Sequence, residues 1–362
     1  MFNILKEPLM MRRGGGGGTG GGTGGGTGGG TGGGTGGGTG GGTGGGTTPA
    51  ADGRMFSYMG SPASVGVNMN GAHTMADGAS IRTWYFGGGF NGDRTIPSPV
   101  IECIEGQAAE VTLSSMMPHS IHLHGLDVDQ ANDGVPSTSG FVGGGMGGGG
   151  MGGFGRVSGY TSLGSTYTYR FTAPHAGTYM YHCHVDTVLH AEMGMYGTVI
   201  VRPADGSTNR AWSNGPLFDK EYVWHLHTFD SSWHGNMVSG SNTVRHRPDY
   251  FMINGRDGAN ALTDATVAIA AAPGQKVLIR ATAVGYQPAK VRLGGLAFEV
   301  IASDGRPLPA PIPADEWLVA PGERYDLLLT MPESGQWTAT VDYFDIRNSR
   351  ILGSTSTTVT VI

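Results

Sequence analysis

Short runs that alternate hydrophobic and polar residues, separated by turn residues, recur along most of the chain. A period of two predicts strands, since successive side chains of a strand point to opposite faces. No long segment shows the 3.6-residue period of an amphipathic helix. The first set of runs comprises "IRTWYF", "VIECI", "AEVTL", "TYTYRFT", "GTYMYHC" and "GTVIVRP". This pattern predicts an all-β protein built from sandwiches.

A second set of such runs fills the C-terminal part of the chain. It includes "EYVWHLH", "KVLIRATA", "RYDLLLT", "GQWTATV" and "STTVTVI". A length of 362 residues also favours two domains, since one domain takes roughly 150 residues. We predict domains at 76–203 and 217–362, joined by a linker at 204–216 and preceded by an N-terminal segment at 1–75.

Glycine-rich segments interrupt this pattern. A GGGT repeat at 14–46 contains much of the chain's total of 68 glycines. Such a tract cannot bury apolar surface, so we expect a flexible tether; an ordered assembly element between subunits is the alternative. A second patch, at 143–155, is expected to be a loop. Its Met146 and Met151 suggest an alternative role in binding cuprous ions, because thioethers are ligands for Cu(I).

Charge and cysteine content exclude several classes of function. The net charge of −6 argues against a nucleic-acid partner. No run of 18 apolar residues predicts a membrane span, and the N-terminal apolar run is too short for a clear signal peptide. Two cysteines give no disulfide framework. Cys103 is expected to be a buried strand residue without chemistry.

The segment "YHCHVDTVLHAEMGM" places three potential metal ligands side by side, His182, Cys183 and His184. In a strand, the two histidines point to one face and the cysteine points to the other. His190 and Met195 follow beyond the strand. The segment therefore predicts ligands for two separate sites.

The segment "HSIHLHG" supplies the matching half of each site. If it is extended, His122 and His124 share one face, and His119 lies on the other. Six of the chain's twelve histidines fall in these two segments, which disfavours scattered core or surface histidines. The first predicted site contains His119, Cys183, His190 and Met195. The second contains His122, His124, His182 and His184.

The two ligand sets indicate copper. A His₂Cys set with an available Met is typical of a blue-copper centre, in which the thioether is a weak axial ligand. Zinc sites more usually contain several thiolates or lack the axial Met. An all-imidazole set suits copper or another borderline metal.

These segments resemble the multicopper oxidases of the cupredoxin superfamily. "HSIHLHG" is similar to that family's HxxHxH motif, and "HCHVDTVLHAEMGM" to its HCHxxxHxxxxM motif, although the gap between HCH and the next His is two residues longer here than in the family. The resemblance implies two cupredoxin-like Greek-key β-sandwich domains. It implies type 1 copper at the first site, with Met195 rather than Met193 as axial ligand, and type 2 and type 3 copper at the second.

The resemblance also implies a function. It indicates one-electron oxidation of a small reducing substrate at the type 1 copper, coupled to reduction of dioxygen at a type 2/type 3 cluster. It further implies a homo-oligomer, with a trimer favoured, and a periplasmic or extracellular location. Asp186 is a weak candidate for proton delivery, and an exposed turn carboxylate is an equal alternative.

The second domain departs from the family pattern. A complete trinuclear cluster in this family uses eight histidines, four from each of two domains or subunits. Here "RLGGL", at 292–296, stands where the first domain has "HLHGL", and Thr340, Val341 and Asp342 stand where it has His-Cys-His. We therefore predict a metal-free second domain.

Two alternative functions stay open. One is a blue-copper electron-transfer or assembly protein without a complete oxygen-reducing cluster. The other is a copper nitrite reductase-like enzyme, although His122 replaces that family's active-site Asp and no histidine follows His246.

Six further histidines lie outside the two segments. Four of them are interpreted as histidines on a polar strand face or at the surface. The alternative is that some of the four complete a copper cluster, for example across a subunit interface. These four are His225, His227, His234 and His246. We expect His73 and His175 to be solvent-exposed.

Overall fold

The computed structural model describes residues 58–87, 96–115, 117–139, 165–235 and 245–362. The GGGT repeat and the loop with Met146 and Met151 lie outside these residues. The described residues form twenty strands in four sheets, together with three short helical segments. The predicted all-β architecture of two sandwiches is confirmed.

The first sandwich packs two sheets over a shared apolar core. One sheet has the strand order β1-β4-β9-β8-β6 and the other β3-β2-β5-β7. Its elements are β1 (Tyr58–Gly60), β2 (Ala63–Thr74), β3 (Ser80–Gly87), β4 (Ser98–Ile104), β5 (Ala108–Ser115), β6 (His122–His124), β7 (Ser165–Thr172), β8 (Gly177–His182), α1 (Thr187–Glu192) and β9 (Tyr196–Arg202).

Two strands of this sandwich lie upstream of its predicted start at residue 76. Strand β1 pairs with β4, and β2 lies between β3 and β5. The segment "ASVGVNMNGAHT" of β2 contains two glycines and two asparagines, residues that are depleted in strands. These residues dilute the alternation, and only the two ends of β2 alternate between buried and exposed positions.

The second sandwich has the same two-sheet construction and its own apolar core. Its sheets have the orders β11-β10-β13-β18-β15-β16 and β12-β20-β19-β14-β17. Its elements are β10 (Lys220–Phe229), a 3₁₀ helix (Ser231–His234), β11 (Tyr250–Ile253), α2 (Gly258–Thr263), β12 (Ile269–Ala271), β13 (Lys276–Ala283), β14 (Ala289–Arg292), β15 (Phe298–Ser303), β16 (Arg306–Ala314), β17 (Glu316–Val319), β18 (Arg324–Thr330), β19 (Gln336–Phe344) and β20 (Ile351–Val361).

A buried ionic network joins the two sandwiches. Arg202, at the end of β9, makes a two-pronged contact with Glu221 of β10 at 2.8 and 2.7 Å. Arg280 of β13 donates to the same carboxylate at 2.7 Å, and Thr178 of β8 donates to Asp326 at 2.5 Å. Buried charges need such partners because removal from water is costly. The network fixes β8 and β9 against the second sandwich.

The helices of the described residues are short. Both α1 and α2 have six residues. In the part of the chain that the structure describes, no helix has the length and apolar character needed to cross a membrane.

Candidate metal centres

The two histidine segments lie on adjacent antiparallel strands. His122 of β6 is paired with His182 at the end of β8, and Leu123 with Tyr181. Cys183 follows directly after β8, and its side chain is fully buried in the core of the first sandwich. The strand pair therefore presents one ligand group on each of its faces.

The core-facing group is centred on Cys183. Its Sγ lies 3.1 Å from Nδ1 of His190 and 3.6 Å from Nδ1 of His119. All three side chains are buried, and their ligand atoms lie within 4.8 Å of one another. Met195 is also fully buried, and its backbone carbonyl accepts a hydrogen bond from the Cys183 N–H at 3.1 Å.

A glycine turn returns the chain from α1 to this group. Gly194 has a φ of +109°, and a Cβ there would lie 2.7 Å from Ile96 Cδ1 and 2.9 Å from the Trp84 carbonyl oxygen. Trp84 also donates its backbone N–H to the Met193 carbonyl and packs edge-on against the His190 ring. Glycine is thus required, both for its backbone conformation and for the close approach of β3.

Burial sets the protonation of the Cys183 group. It lowers the pKa of His119 to about 3 and that of His190 to about 4. It raises the pKa of the Cys183 thiol to about 12. The imidazoles are therefore neutral at pH 7 and ready to bind a metal, whereas the thiol must lose its proton when a metal binds.

These residues fit copper. A buried set of one soft sulfur and two imidazoles, with the side chain of Met195 in the same core cluster, matches the preference of a blue-copper centre. The buried Nε2 of His119 has no hydrogen-bond partner among the described residues. Nδ1 of His119 and Nδ1 of His190 both face the Cys183 sulfur, but a thiol has one proton and can donate it to only one of them.

The second group lies on the opposite face of the strand pair. The ligand atoms of His122, His124 and His182 lie within 4.8 Å of one another. Nδ1 of His124 is 3.1 Å from Nε2 of His182. The His184 ring lies beside this set, with its centroid 5.1 Å from that of His122 and 5.9 Å from that of His182.

The second group touches both sandwiches. Nδ1 of His122 is 2.7 Å from the backbone oxygen of Asp133. On the other side, the Arg324 guanidinium packs so closely on Gly125 that a Cβ there would lie 2.1 Å from Nη2. Burial lowers the pKa of His124 to about 4, and the charge of Arg324 acts in the same direction. This cation makes the His124 side of the group less favourable for a second positive charge.

The equivalent position of the second sandwich holds an ion pair. Arg292 of β14 is paired with Thr340 of β19, just as His122 is paired with His182. The Arg292 guanidinium donates to the carboxylate of Asp342, which stands where the first sandwich has His184. Across the described part of the second sandwich, no three His, Cys, Asp or Glu side chains form a comparably close metal-compatible group.

Three of the remaining histidines surround a carboxylate that sequence analysis overlooked. Glu192, the last residue of α1, is fully buried and lies 3.0 Å from Nε2 of His246. His234 and His227 lie 3.5 and 4.0 Å from the same carboxylate. Although burial raises the pKa of Glu192, the imidazoles of His234, His246 and His227 around its carboxylate hold that pKa at about 2. The sequence signal for this buried carboxylate is a Glu within the apolar run "LHAEMGM".

His225 takes no part in either metal-compatible group. Its two ring nitrogens contact the hydroxyls of Thr198 at 2.8 Å and Thr282 at 2.7 Å, which fits the interpretation of a polar strand face and not a surface position, since the ring is buried. The idea that His225, His227, His234 and His246 join the His122 group within one chain finds no support, because three of them face Glu192 instead.

The expectation for His73 is wrong, whereas His175 is exposed as predicted. His73 is buried, with Nε2 2.5 Å from the Gly255 carbonyl oxygen of the second sandwich. Its polar sequence context gave no sign of this domain contact. Cys103 is buried in β4 as predicted, and burial raises its pKa to about 12.

Comparisons with known proteins agree with this geometry. Two sequence profiles, both described as multicopper oxidase, match residues 224–361 and 156–205. A copper-containing nitrite reductase of Neisseria meningitidis is 29% identical over 55% of this chain and 45% of its own length. The multicopper oxidase MmcO of Mycobacterium tuberculosis is 26% identical over 65% of this chain and 46% of its own length. The chain thus spans about half the length of these curated relatives.

Solved structures share the architecture over most of the chain. The blue copper oxidase of Nitrosomonas europaea superposes with a TM-score of 0.63 at 25% identity, covering 84% of this chain and 86% of that one. Both matched profiles have the same description, and the one over residues 156–205 spans the His-Cys-His segment. The chain belongs to the multicopper oxidase family, whose cofactor is copper.

Proposed function

We propose that the protein is a copper-dependent oxidoreductase that takes single electrons from a small reducing substrate and delivers them to dioxygen. Copper, when bound, supplies the one-electron redox chemistry. The observation that carries the proposal is the position of Cys183, whose sequence neighbours His182 and His184 belong to the group on the other face. One short stretch of backbone thus connects the two groups.

His119, Cys183, His190 and Met195 are proposed to hold the type 1 copper. The three closest side chains are fully or almost fully buried, which keeps water from the sulfur. The apolar core around Cys183 and the edge-on packing of Trp84 against His190 hold the ligands in place. Such surroundings tune the redox potential of the bound metal.

His122, His124, His182 and His184 are proposed to hold the copper at which dioxygen is reduced. His182 is buried, but the other three rings are half-buried and lie closer to solvent than the Cys183 group: the His122 side chain is 17% exposed. A small oxidant reaches this face more readily than it reaches the core. Asp133, whose carboxylate lies 3.3 Å from Nδ1 of His122, is placed to hold a proton there.

The number of accessible histidines in the chain limits how many imidazoles the metal site of the second group can have. Eight histidines remain outside it, and His175 is the exposed one, since His246 is half-buried and the others are buried. A second copy of the chain therefore has little imidazole to contribute. The second group then works with the four histidines of one chain.

We also propose that the protein is a homo-oligomer, with a trimer favoured, and that its location is periplasmic or extracellular.

A blue-copper electron-transfer protein is the second candidate. It is favoured by the Arg292–Asp342 ion pair, which takes the place of metal ligands in the second sandwich, and by the cation of Arg324 beside His124. The first candidate predicts oxygen uptake with a reducing phenol or metal ion, and the second predicts blue absorbance without oxygen uptake.

Copper content and oxygen uptake of the copper-loaded protein test these candidates. For the oxidase, His124→Gln should lower copper content and abolish oxygen uptake while leaving blue absorbance intact. His175→Gln is the control, since this exposed ring belongs to neither group. Blue absorbance with no oxygen uptake in the wild type would favour the carrier, and uptake only with nitrite as acceptor would favour a nitrite reductase-like enzyme.

A further inference from the structure

A buried carboxylate at the meeting of the two sandwiches belongs to neither copper group. Glu192 closes α1, two residues after His190, and its side chain is fully buried. His227 on β10 and His234 on the 3₁₀ helix approach it from the second sandwich. His246, which precedes β11, approaches as well. Four potential ligands from two domains therefore converge on one point.

The imidazoles engage both oxygens of this carboxylate. Nε2 of His246 lies 3.0 Å and Nε2 of His227 lies 4.0 Å from Oε2. Nε2 of His234 lies 3.5 Å from Oε1, which also accepts the backbone N–H of Asp230 at 2.6 Å. Each of the three rings thus has one nitrogen facing the carboxylate.

Several nitrogens in this cluster lack the partners that burial demands. Neither ring nitrogen of His227 has a hydrogen-bond partner among the described residues, and the same holds for Nε2 of His234. Buried polar side-chain atoms are nearly always paired, so such atoms call for an explanation, for example an ion. The two side chains are 0% and 2% exposed, so bulk water does not supply the partner.

His225 shows that this strand can satisfy a buried histidine. It lies two residues before His227 on β10, and its two ring nitrogens contact the hydroxyls of Thr198 and Thr282. Around His227, the structure instead supplies a carboxylate and two further imidazoles. The surroundings of His227 therefore have the composition of a ligand set.

We propose that Glu192, His227, His234 and His246 bind a borderline divalent transition-metal ion such as Zn²⁺, in a site separate from both copper groups. Three imidazoles and one carboxylate suit such an ion, whereas Ca²⁺ and Mg²⁺ prefer oxygen ligands. These four ligand atoms do not form one of the groups within 4.8 Å of one another. The ion accordingly draws the rings inward toward the carboxylate.

The site links the two domains through the helix that carries His190. Glu192 comes from the first sandwich, and the three histidines come from the second. An ion bound to all four stabilises the native arrangement, since it binds the folded state. It also holds the end of α1, from which Gly194 and Met195 return to Cys183.

Zinc binding to the full-length, copper-free protein tests this site. Equilibrium dialysis against Zn²⁺ followed by metal analysis should find one more equivalent in the wild type than in Glu192→Gln or His227→Gln. His225→Gln is the matched control on the same strand and should retain the wild-type number. Zinc should raise the Tm of the wild type and of this control by more than it raises the Tm of the other two variants.

Equal zinc content in the wild type, Glu192→Gln and His227→Gln would overturn the proposal. If circular dichroism shows that either variant is unfolded, His246→Gln replaces it, because this side chain is 11% exposed and tolerates change more readily. After copper loading, the variants should keep the blue absorbance of the Cys183 group. If all variants lost both the blue absorbance and the zinc equivalent, the proposal would also be overturned. Such a result would show that the substitutions act through His190 and not at a separate site.

Discussion

Arg292 and Asp342 form an ion pair at the position of the second sandwich where the first has His122 and His184. The two sandwiches share strand register there, with Arg292 paired to Thr340 as His122 is paired to His182. Ser354 also donates to the Asp342 carboxylate at 2.5 Å. The same architecture is thus held by charge and hydrogen bonding in one domain and offers metal ligands in the other.

This ion pair should matter for stability and not for metal content. Arg292→Met removes one partner, but its side chain is 37% exposed, so we expect a loss of about 1 kcal/mol or less in the free energy of unfolding. Copper content should stay at the wild-type value. Urea unfolding and metal analysis of the same preparation check both expectations, and a loss of copper would show that the second sandwich contributes to a site.

Copper binding at Cys183 should depend on pH through the thiol. Burial holds the pKa of the thiol at about 12 and those of His119 and His190 at about 3 and 4. Near neutral pH the imidazoles are already neutral, and the bound metal displaces one proton from sulfur. The affinity for copper should therefore rise about tenfold per pH unit from about pH 7 to about pH 9.

Competition titrations at several pH values, followed by blue absorbance, measure this slope. Cys183→Ser should lose the blue absorbance altogether. Cys103→Ser is the matched control, since Cys103 is also buried and has a raised pKa but belongs to neither metal-compatible group. A pH-independent affinity in the wild type would contradict a protonated thiol in the metal-free protein.

His225 should make the metal-free protein less stable in acid. Burial lowers its pKa from an ordinary 6.5 to about 3. Above pH 6.5 the ring is neutral in both states, so it carries no penalty; below that pH the unfolded chain binds a proton that the folded chain refuses. Stability is therefore lost as the pH falls from 6.5 toward 3, by at most about 1.4 kcal/mol per pH unit from this group.

The variant His225→Gln isolates this contribution. The unfolding free energy of the variant should still fall as the pH falls, because other buried histidines contribute their own slopes. Its slope against pH should be smaller than that of the wild type by about the contribution of one proton. Urea unfolding at four pH values between 7 and 4 gives the two slopes. Identical slopes would mean that His225 is protonated in the folded state.

Gly194 should be indispensable to the turn that brings Met195 back to Cys183. Gly194→Ala introduces a Cβ 2.7 Å from Ile96 Cδ1 at a φ of +109°, and strained residues of this kind cost about 1–3 kcal/mol. We expect a lower Tm and altered blue absorbance. Gly78→Ala is the control: its φ is +86°, but nothing lies within 4 Å of the added Cβ. It should cost stability without changing the absorbance, so equal spectral effects would contradict the argument.

Much of the candidate site could be predicted from local sequence. The side chains of adjacent strand residues must point to opposite faces, so parity alone separated Cys183 from His182 and His184. The alternation of short apolar runs likewise determined an all-β chain of two sandwiches. The alignment of "RLGGL" with "HLHGL" correctly anticipated that Arg292 takes the strand position of His122, since both belong to the same local pattern.

Only the tertiary structure decided which distant residues meet. No period in the sequence connects Glu192 to His227, His234 and His246, because these contacts depend on how the two sandwiches dock. The same docking buries His73 against Gly255 and places Arg324 beside His124. Sequence patterns report the environment of a residue within its own strand, whereas contacts between domains are set by the packing of whole sheets.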